Sequence, residues 1–231
     1  MSQEKIWQYF QGDGVQNFDE AVPRLEHLYK RARKLSGGRQ LHVLNIGVGN
    51  GWLERRCHRE GWSVAAIDPG HEAVEALVED GIDGHVGLIE DMPFEADKFD
   101  VVFCSEVLEH LSDEQLTSGL LEIGRVLKKD GILIGTVPYR ENLLESLVVC
   151  PDCGKRFHRW GHQQSFDKEN LNKAFALAGM APLVIQTYAF PVYSKPLPLN
   201  RLRQSVRWVL GRLGSGHVYT NLLFLVRPVA P

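Results

Sequence analysis

Three clusters of residues in this chain of 231 amino acids have types and spacings suited to chemistry. The first is Asn45-Ile46-Gly47-Val48-Gly49-Asn50-Gly51, followed later by Asp68. Glycines at a turn let the backbone approach a ligand closely, and a helix starting there offers free N–H groups and a positive dipole end. Spacing excludes two familiar phosphate loops. A dinucleotide fingerprint needs glycine at position 52, where Trp52 stands, and a nucleoside-triphosphate loop needs a Gly-Lys-Ser/Thr that is missing. Asp68 ends the next strand, where a carboxylate can accept hydrogen bonds from both hydroxyls of a ribose.

The second cluster is Glu106-x-x-Glu109-His110. Residues at i, i+3 and i+4 share one helix face, so a helix beginning here would aim two carboxylates and an imidazole at the glycine turn. The third is Cys150-x2-Cys153-x4-His158-x3-His162, thiolates and imidazoles of the kind tetrahedral zinc prefers. The same cysteines also read as a redox Cys-Pro-x-Cys pair or as two free buried thiols.

The elements that must position these groups alternate. Short apolar runs at 41–46, 63–67, 85–89, 99–105 and 132–137 read as strands, and 51–60, 71–79 and 113–128 read as helices between them. This alternation implies right-handed βαβ units and a mostly parallel sheet covered on both faces. Ahead of it lies a helix at 18–35, stopped by Ser36-Gly37-Gly38. Residues 138–165 are rich in Cys, His, Arg and Trp and show no period. A helix at 168–178, an apolar run at 183–190, a basic amphipathic helix at 200–213 and a strand at 218–226 close the chain.

Composition bounds the class. Hydrophobic residues make up 44% and charged residues 24%, which excludes a largely disordered chain. No apolar stretch approaches a membrane span, no signal-peptide core begins the chain, and four cysteines are too few for a disulfide scaffold. These features read as a soluble, cytoplasmic protein. The net charge of −3 hides an asymmetry, because no acidic residue follows Glu169 and the last 62 residues carry +7. A basic C-terminal surface would suit an anionic substrate, a phosphate or a lipid headgroup.

The stretch Val43 through Gly51, Asp68, Pro93-Phe94, Phe99-Asp100-Val101-Val102, Glu106-Val107-Leu108-Glu109-His110-Leu111 and Leu127-Lys128 with Gly131-Ile132-Leu133 resembles the class I S-adenosylmethionine-dependent methyltransferases. The resemblance covers residues 40–140 closely and 165–190 loosely. It implies an α/β, Rossmann-like, seven-stranded, mostly parallel sheet with helices on both faces and an antiparallel last strand. It also implies one domain over 1–231: N-terminal lid helices at 1–40, a cofactor-binding core at 41–137, the Cys/His insert at 138–165 and substrate-side elements at 166–231. The cofactor would be S-adenosylmethionine, held by Asn45, Gly47, Gly49, Gly51, Asp68, Pro69, Ile89, Glu90 and Ser105. The family usually has an acid where Asn45 stands, and another, at the adenine amino group, where Leu88 stands, so that second role falls here to Glu90 or to the backbone of Ile89.

In the ubiquinone-pathway O-methyltransferases and the small-RNA 3′-end 2′-O-methyltransferases, a similar Glu-x-x-Glu-His with a later histidine binds a divalent cation such as magnesium. Here Glu106, Glu109 and His110, with His162 as the later histidine, match that pattern, while zinc at Cys150, Cys153, His158 and His162 would pin the insert. The expected reaction is methyl transfer to a hydroxyl of a small molecule or glycan, with His110 or His162 as base or a metal lowering the hydroxyl's pKa. Two other classes stay open. One is RNA modification, with Phe157 and Trp160 among Lys155, Arg156 and Arg159 stacking bases and contacting phosphates, although nucleic-acid-binding domains are usually more basic than a pI near 6.3. The other is a non-catalytic interaction protein using helix 200–213 at a membrane surface or a dimer seam.

Overall fold

Parallel strands covered on both faces have to be apolar on both sides, and the runs at 43–46, 64–67 and 101–104 are buried almost throughout. In the computed structural model, which describes residues 15–190, 206, 209 and 221–229, they form the middle of one sheet. Along the chain come α1 (Val22–Ser36), β1 (His42–Ile46), α2 (Trp52–Arg59), β2 (Ser63–Asp68), α3 (His71–Glu79), β3 (Asp83–Val86), β4 (Phe99–Ser105), α4 (Asp113–Val126) and β5 (Leu127–Pro138). A small hairpin, β6 (Leu147–Val149) and β7 (Arg156–His158), precedes α5 (Lys168–Leu177), β8 (Met180–Tyr188) and β9 (Asn221–Pro228).

The seven-stranded sheet runs β3-β2-β1-β4-β5-β9-β8. Every pairing from β3 to β5 is parallel, and β9 lies antiparallel between β5 and β8. Period-2 alternation divides the strands' side chains between two cores. Leu44, Ile46, Val102, Cys104 and Leu133 pack with Leu120, Ile123 and Phe175 of α4 and α5. Val43, Val101, Phe103 and Ile134 pack with Leu28, Leu53 and Leu77 of α1, α2 and α3. Where β4, β5 and β9 meet, a Cβ on Gly135 would lie 1.9 Å from the Cys104 carbonyl and 2.5 Å from the Phe224 ring, so only glycine fits.

Several boundaries differ from the sequence reading. β3 covers 83–86 rather than 85–89, and β8 starts at Met180, immediately after Gly179 with its φ of +68°. The polar run Lys128-Lys129-Asp130-Gly131 does not extend α4; Leu127 already pairs with Phe99, and the run forms an irregularity inside β5. The expected helix start at Glu106 is absent, because a Ser112–Gln115 capping box begins α4 at Asp113 and leaves only a 3₁₀ turn over Leu108–His110. On α1, Leu28 and Ala32 are buried but Leu35 is exposed. Helix 200–213 lies outside the described residues except for Val206 and Val209, which are helical and exposed.

The turn between β1 and α2 shows why glycine recurs there. Gly47, Gly49 and Gly51 all have left-handed φ, at +85°, +59° and +73°, and a Cβ on Gly47 would meet Val107 at 2.7 Å. Beneath the turn the Asn45 amide donates to the Gly47 carbonyl at 3.0 Å and to Glu54 Oε1 at 2.6 Å. Glu54 is buried, and its Oε2 has no hydrogen-bond partner among the described residues. Burial pushes its pKa up to about 7, against the opposing hydrogen bond from Asn45.

A raised carboxyl pKa lowers stability as pH rises. Above pH 4.5 the unfolded chain ionises Glu54 while the native state keeps the proton until about pH 7, so native stability falls across that window and levels off above it. Glu54→Gln retains an acceptor for the Asn45 amide and removes the ionisation. Its advantage over wild type should grow by about 2–3 kcal/mol between pH 5 and pH 8, or roughly 5–10 °C in melting temperature. Thermal denaturation across that range checks this, and a difference independent of pH would show that Glu54 does not titrate in the window.

Candidate active site

The strand order reverses between β1 and β4, and ligands of open α/β sheets bind in the crevice beyond the carboxyl ends of the strands at such a point. The glycine turn, Asp68, Ser105 and the turn over Leu108–His110 all lie at that edge. Asp68 is buried, and its two oxygens accept from Val48 N–H and Gly70 N–H, each at 2.7 Å. It thereby ties the glycine turn to the N-terminus of α3. Pro69 beside it is half-buried. The Ile89 side chain packs into the core against Gly119, which leaves its backbone as the part able to face a ligand. Glu90 accepts from Gln115 at 3.0 Å through Oε1, while its buried Oε2 has no hydrogen-bond partner among the described residues. Ser105 Oγ lies 2.9 Å from Thr136 Oγ1 and accepts from Arg24 Nε at 3.1 Å. From the N-terminal side, Phe18 lies against Gly49, and Asp19 accepts from Asn50 at 3.3 Å.

Glu109, His110 and His162 converge, with one ligand atom of each within 4.8 Å of the others. Both Glu109 oxygens are buried without a hydrogen-bond partner among the described residues, and burial followed by the charge of Glu106 raises its pKa well above the usual carboxylate range. Burial and the adjacent His162 bring the His110 pKa down to about 3, although the Gly161 carbonyl, accepting from the ring, opposes this. A neutral imidazole whose second nitrogen is held by a carbonyl is the form that ligates a metal, and a base of pKa about 3 is a poor proton acceptor at neutral pH. The donor set, two imidazoles and an unsatisfied buried carboxylate, therefore fits a divalent cation.

Glu106 stands apart from this group. Its φ of +56° turns it to Asn221, whose amide donates to both carboxylate oxygens at 3.0 Å, and Arg24 lies 3.9 Å away. The shared helix face expected for Glu106, Glu109 and His110 does not form, because these residues occupy a strand end and a 3₁₀ turn.

The four zinc ligands expected from the Cys/His spacing are not brought together either. Leu147 pairs with His158 and Cys150 N–H bonds the Lys155 carbonyl, so Cys150 lies three residues, about 10 Å, along the hairpin from His158. The two also alternate to opposite faces, since His158 shares a face with Leu147 and Val149. Neither ligand group found among the described residues includes a cysteine. His158 instead joins Glu141 and His162: its ring stacks on His162 at 4.7 Å, and its Nε2 lies 3.5 Å from Glu141.

Three supporting residues escaped the sequence reading. Glu141 holds His162 Nδ1 at 2.5 Å, which leaves Nε2 for the side shared with Glu109 and His110. Burial works against the Glu141 charge, but the hydrogen bond and charge of His162 prevail and hold its pKa low. Gln163 and Gln164 both donate backbone N–H groups to the Glu109 carbonyl, at 2.7 and 3.0 Å, and their side chains bond the carbonyls of His110 and Leu111. These bonds clamp His162 beside His110 across more than fifty residues of sequence. The Gln-Gln pair directly after His162 was the available signal; Glu141 had none.

Comparison with known proteins agrees with this architecture. Residues 44–135 match the family described as a methyltransferase domain. The chain is 35% identical over 137 residues to a ubiquinone biosynthesis O-methyltransferase of Actinobacillus pleuropneumoniae, an alignment covering 54% of this chain and 56% of that one. It is 38% identical over 97 residues to the enzyme of the same name from Xylella fastidiosa, covering 39% and 38%. The chain thus spans about half the length, or less, of these curated relatives. Among solved structures, Burkholderia thailandensis 1,6-didemethyltoxoflavin-N1-methyltransferase with bound S-adenosylhomocysteine superposes with a TM-score of 0.63 at 17% identity, over 100% of this chain and 92% of that one. A SAM-dependent methyltransferase from Methanosarcina mazei gives 0.61 at 15% identity, over 83% and 94%. The fold is therefore that of the S-adenosylmethionine-dependent methyltransferases, and residues 44–135 match the methyltransferase-domain family.

Proposed function

We propose that the protein transfers the methyl group of S-adenosylmethionine to a hydroxyl of a small molecule or glycan, with a divalent cation at Glu109, His110 and His162. The observation that carries this reading is the convergence of those three side chains at the same edge of the sheet as the glycine turn and Asp68. The names of the curated relatives point to O-methylation as well.

S-adenosylmethionine, when bound, supplies an electrophilic methyl carbon on a sulfonium. The reaction is an in-line displacement, so the chain's task is alignment. The glycine turn would admit the cofactor close to the backbone, where Asp68 would accept from the ribose hydroxyls. Pro69, the backbone of Ile89, Glu90 and Ser105 complete the wall. The amide of Asn45 brings no charge, and Glu54 just behind it supplies the carboxyl under the turn. The segment around Phe18 and Asp19 acts as a lid over Gly49 and Asn50, and the elements after 166 shape the acceptor's side. A divalent cation would lower the pKa of the acceptor hydroxyl and hold it. Glu109 would hold it as an anionic ligand and His110 and His162 as neutral ones, with Glu141 fixing His162 in the tautomer that presents Nε2.

Titration calorimetry with S-adenosylmethionine should give saturable binding to the wild type. Asp68→Ala should weaken it by roughly 100-fold through two lost charge-assisted hydrogen bonds, with Asp68→Asn in between. Unchanged affinity in Asp68→Ala would remove the ribose assignment. For the cation, magnesium or manganese should raise the melting temperature of the wild type and leave Glu109→Gln unmoved. Without metal, Glu109→Gln should be at least as stable as wild type at pH 8, because a buried carboxyl with a raised pKa costs stability once ionised. Glu141→Gln should weaken manganese binding by roughly 10-fold through loss of the His162 orientation. S-adenosylhomocysteine release with hydroxylated acceptors, abolished by a chelator and restored by metal, tests the reaction itself.

A further inference from the structure

The tip of the β6–β7 hairpin carries a feature the methyl-transfer reading does not use. Cys150-Pro151-Asp152-Cys153-Gly154 forms a turn in which Gly154 N–H bonds the Cys150 carbonyl at 2.9 Å and Cys150 N–H bonds the Lys155 carbonyl at 2.9 Å. Gly154 has φ +68° with open space around it, the left-handed residue that closes such a turn. The Cys150 sulfur accepts hydrogen bonds from the backbone of Cys153 and Asp152 and contacts the Cys153 thiol. Cys150 is half-buried and Cys153 exposed. Two sulfurs thus sit side by side at the hairpin's tip, which is half of a tetrahedral zinc site.

Within one chain the other half has no source of sulfur. The sequence holds four cysteines, and Cys57 and Cys104 are buried in the two cores on either side of the sheet. His158 and His162 lie on the other face of the hairpin, engaged with Glu141. A second observation concerns the face opposite the cysteines, where Leu147 and Val149 are 40% and 59% exposed. Leu144 and Trp160 add to this surface at the hairpin's base, which the Arg159 N–H to Ser146 carbonyl bond closes. A tip with half a metal site on one face and exposed apolar side chains on the other, whose missing sulfurs no other cysteine of the chain can supply, fits an identical tip.

We propose that two copies of this chain join through their hairpins, with one zinc ion held by Cys150 and Cys153 of each. Four thiols lose four protons as four Zn–S bonds form, leaving a centre of charge −2. Exposed Lys155 and Arg156 of both copies offset that charge, so the basic residues around the cysteines complement the site.

The test uses the full chain, purified with zinc, chelated and reloaded, with metal content and solution mass measured together. The wild type should have about twice the 26.1 kDa chain mass and revert to one chain with chelator. Cys150→Ser and Cys153→Ser should each be monomeric and hold about half a zinc per chain less than wild type, as four ligands per ion require. Cobalt in place of zinc should give the charge-transfer bands of four thiolates in the dimer and none in either variant. Loss of a whole zinc per chain with no change in mass would place the site within one chain and overturn the proposal. So would a variant that stays dimeric, or one that loses no zinc. S-adenosylmethionine binding should be the same in both variants, so this outcome is independent of the methyl-transfer reading.

Discussion

Removing a carboxylate from water costs several kcal/mol unless hydrogen bonds or a cation replace its hydration, and this chain buries Glu54, Asp68 and Glu109 around one end of its sheet. Each is satisfied to a different degree. Asp68 has a backbone amide on each oxygen, and through them it anchors the glycine turn. Glu54 has one amide on one oxygen, and it sits at the boundary where pH decides its charge. Glu109 has no partner for either oxygen among the described residues, and burial followed by the charge of Glu106 raises its pKa well above the usual carboxylate range. The gradient separates structure from function. A satisfied buried acid is a fastener, and an unsatisfied one held in place by surrounding bonds is a candidate ligand.

Glu109 is held in place by bonds that do not touch its carboxylate. The Glu109 carbonyl accepts two amides from Gln163 and Gln164, and the carbonyls of His110 and Leu111 take their side chains. The backbone of the 3₁₀ turn is therefore fixed while the acid itself remains unpaired. Ser165 and Phe166 continue the same seam along Tyr139, Arg140 and Glu141, which brings Glu141 up to the imidazoles from the other side. Rigid backbone around an unsatisfied side chain is what preorganisation requires, because the cost of holding the ligands together is met during folding.

Much of the scaffold was legible in the sequence because parallel strands and glycine turns leave local traces. Val101-Val102-Phe103 cannot be exposed on either face, and Gly47, Gly49 and Gly51 occupy left-handed φ that other residues avoid. The positions of Asp68 and of the Glu109–His110 pair followed from strand ends for the same reason. What was not legible is non-local or depends on one backbone angle. Spacing placed Glu106 with Glu109 on a helix, but Ser112 and Gln115 cap the helix later and Glu106 turns away at φ +56°. Glu141 sits in an aperiodic stretch twenty-one residues before its partner His162, and nothing in its neighbours marks it.

The Cys/His insert is the clearest case of spacing misread without register. Cysteines and histidines within thirteen residues look like one metal site when distance along the chain is the only measure. Once the segment is a hairpin, alternation assigns His158 and Cys150 to opposite faces and the pairing separates them by three residues of strand. The base of the hairpin then belongs to the pocket, through His158, Glu141 and His162, while the tip is free to serve something else. A two-stranded hairpin has little core of its own and is held here by its base. Contacts that order the tip would stiffen the strand carrying His158, and through the stacked imidazoles the ligand shared with Glu109. The insert would therefore couple the two proposed sites through one strand of three residues.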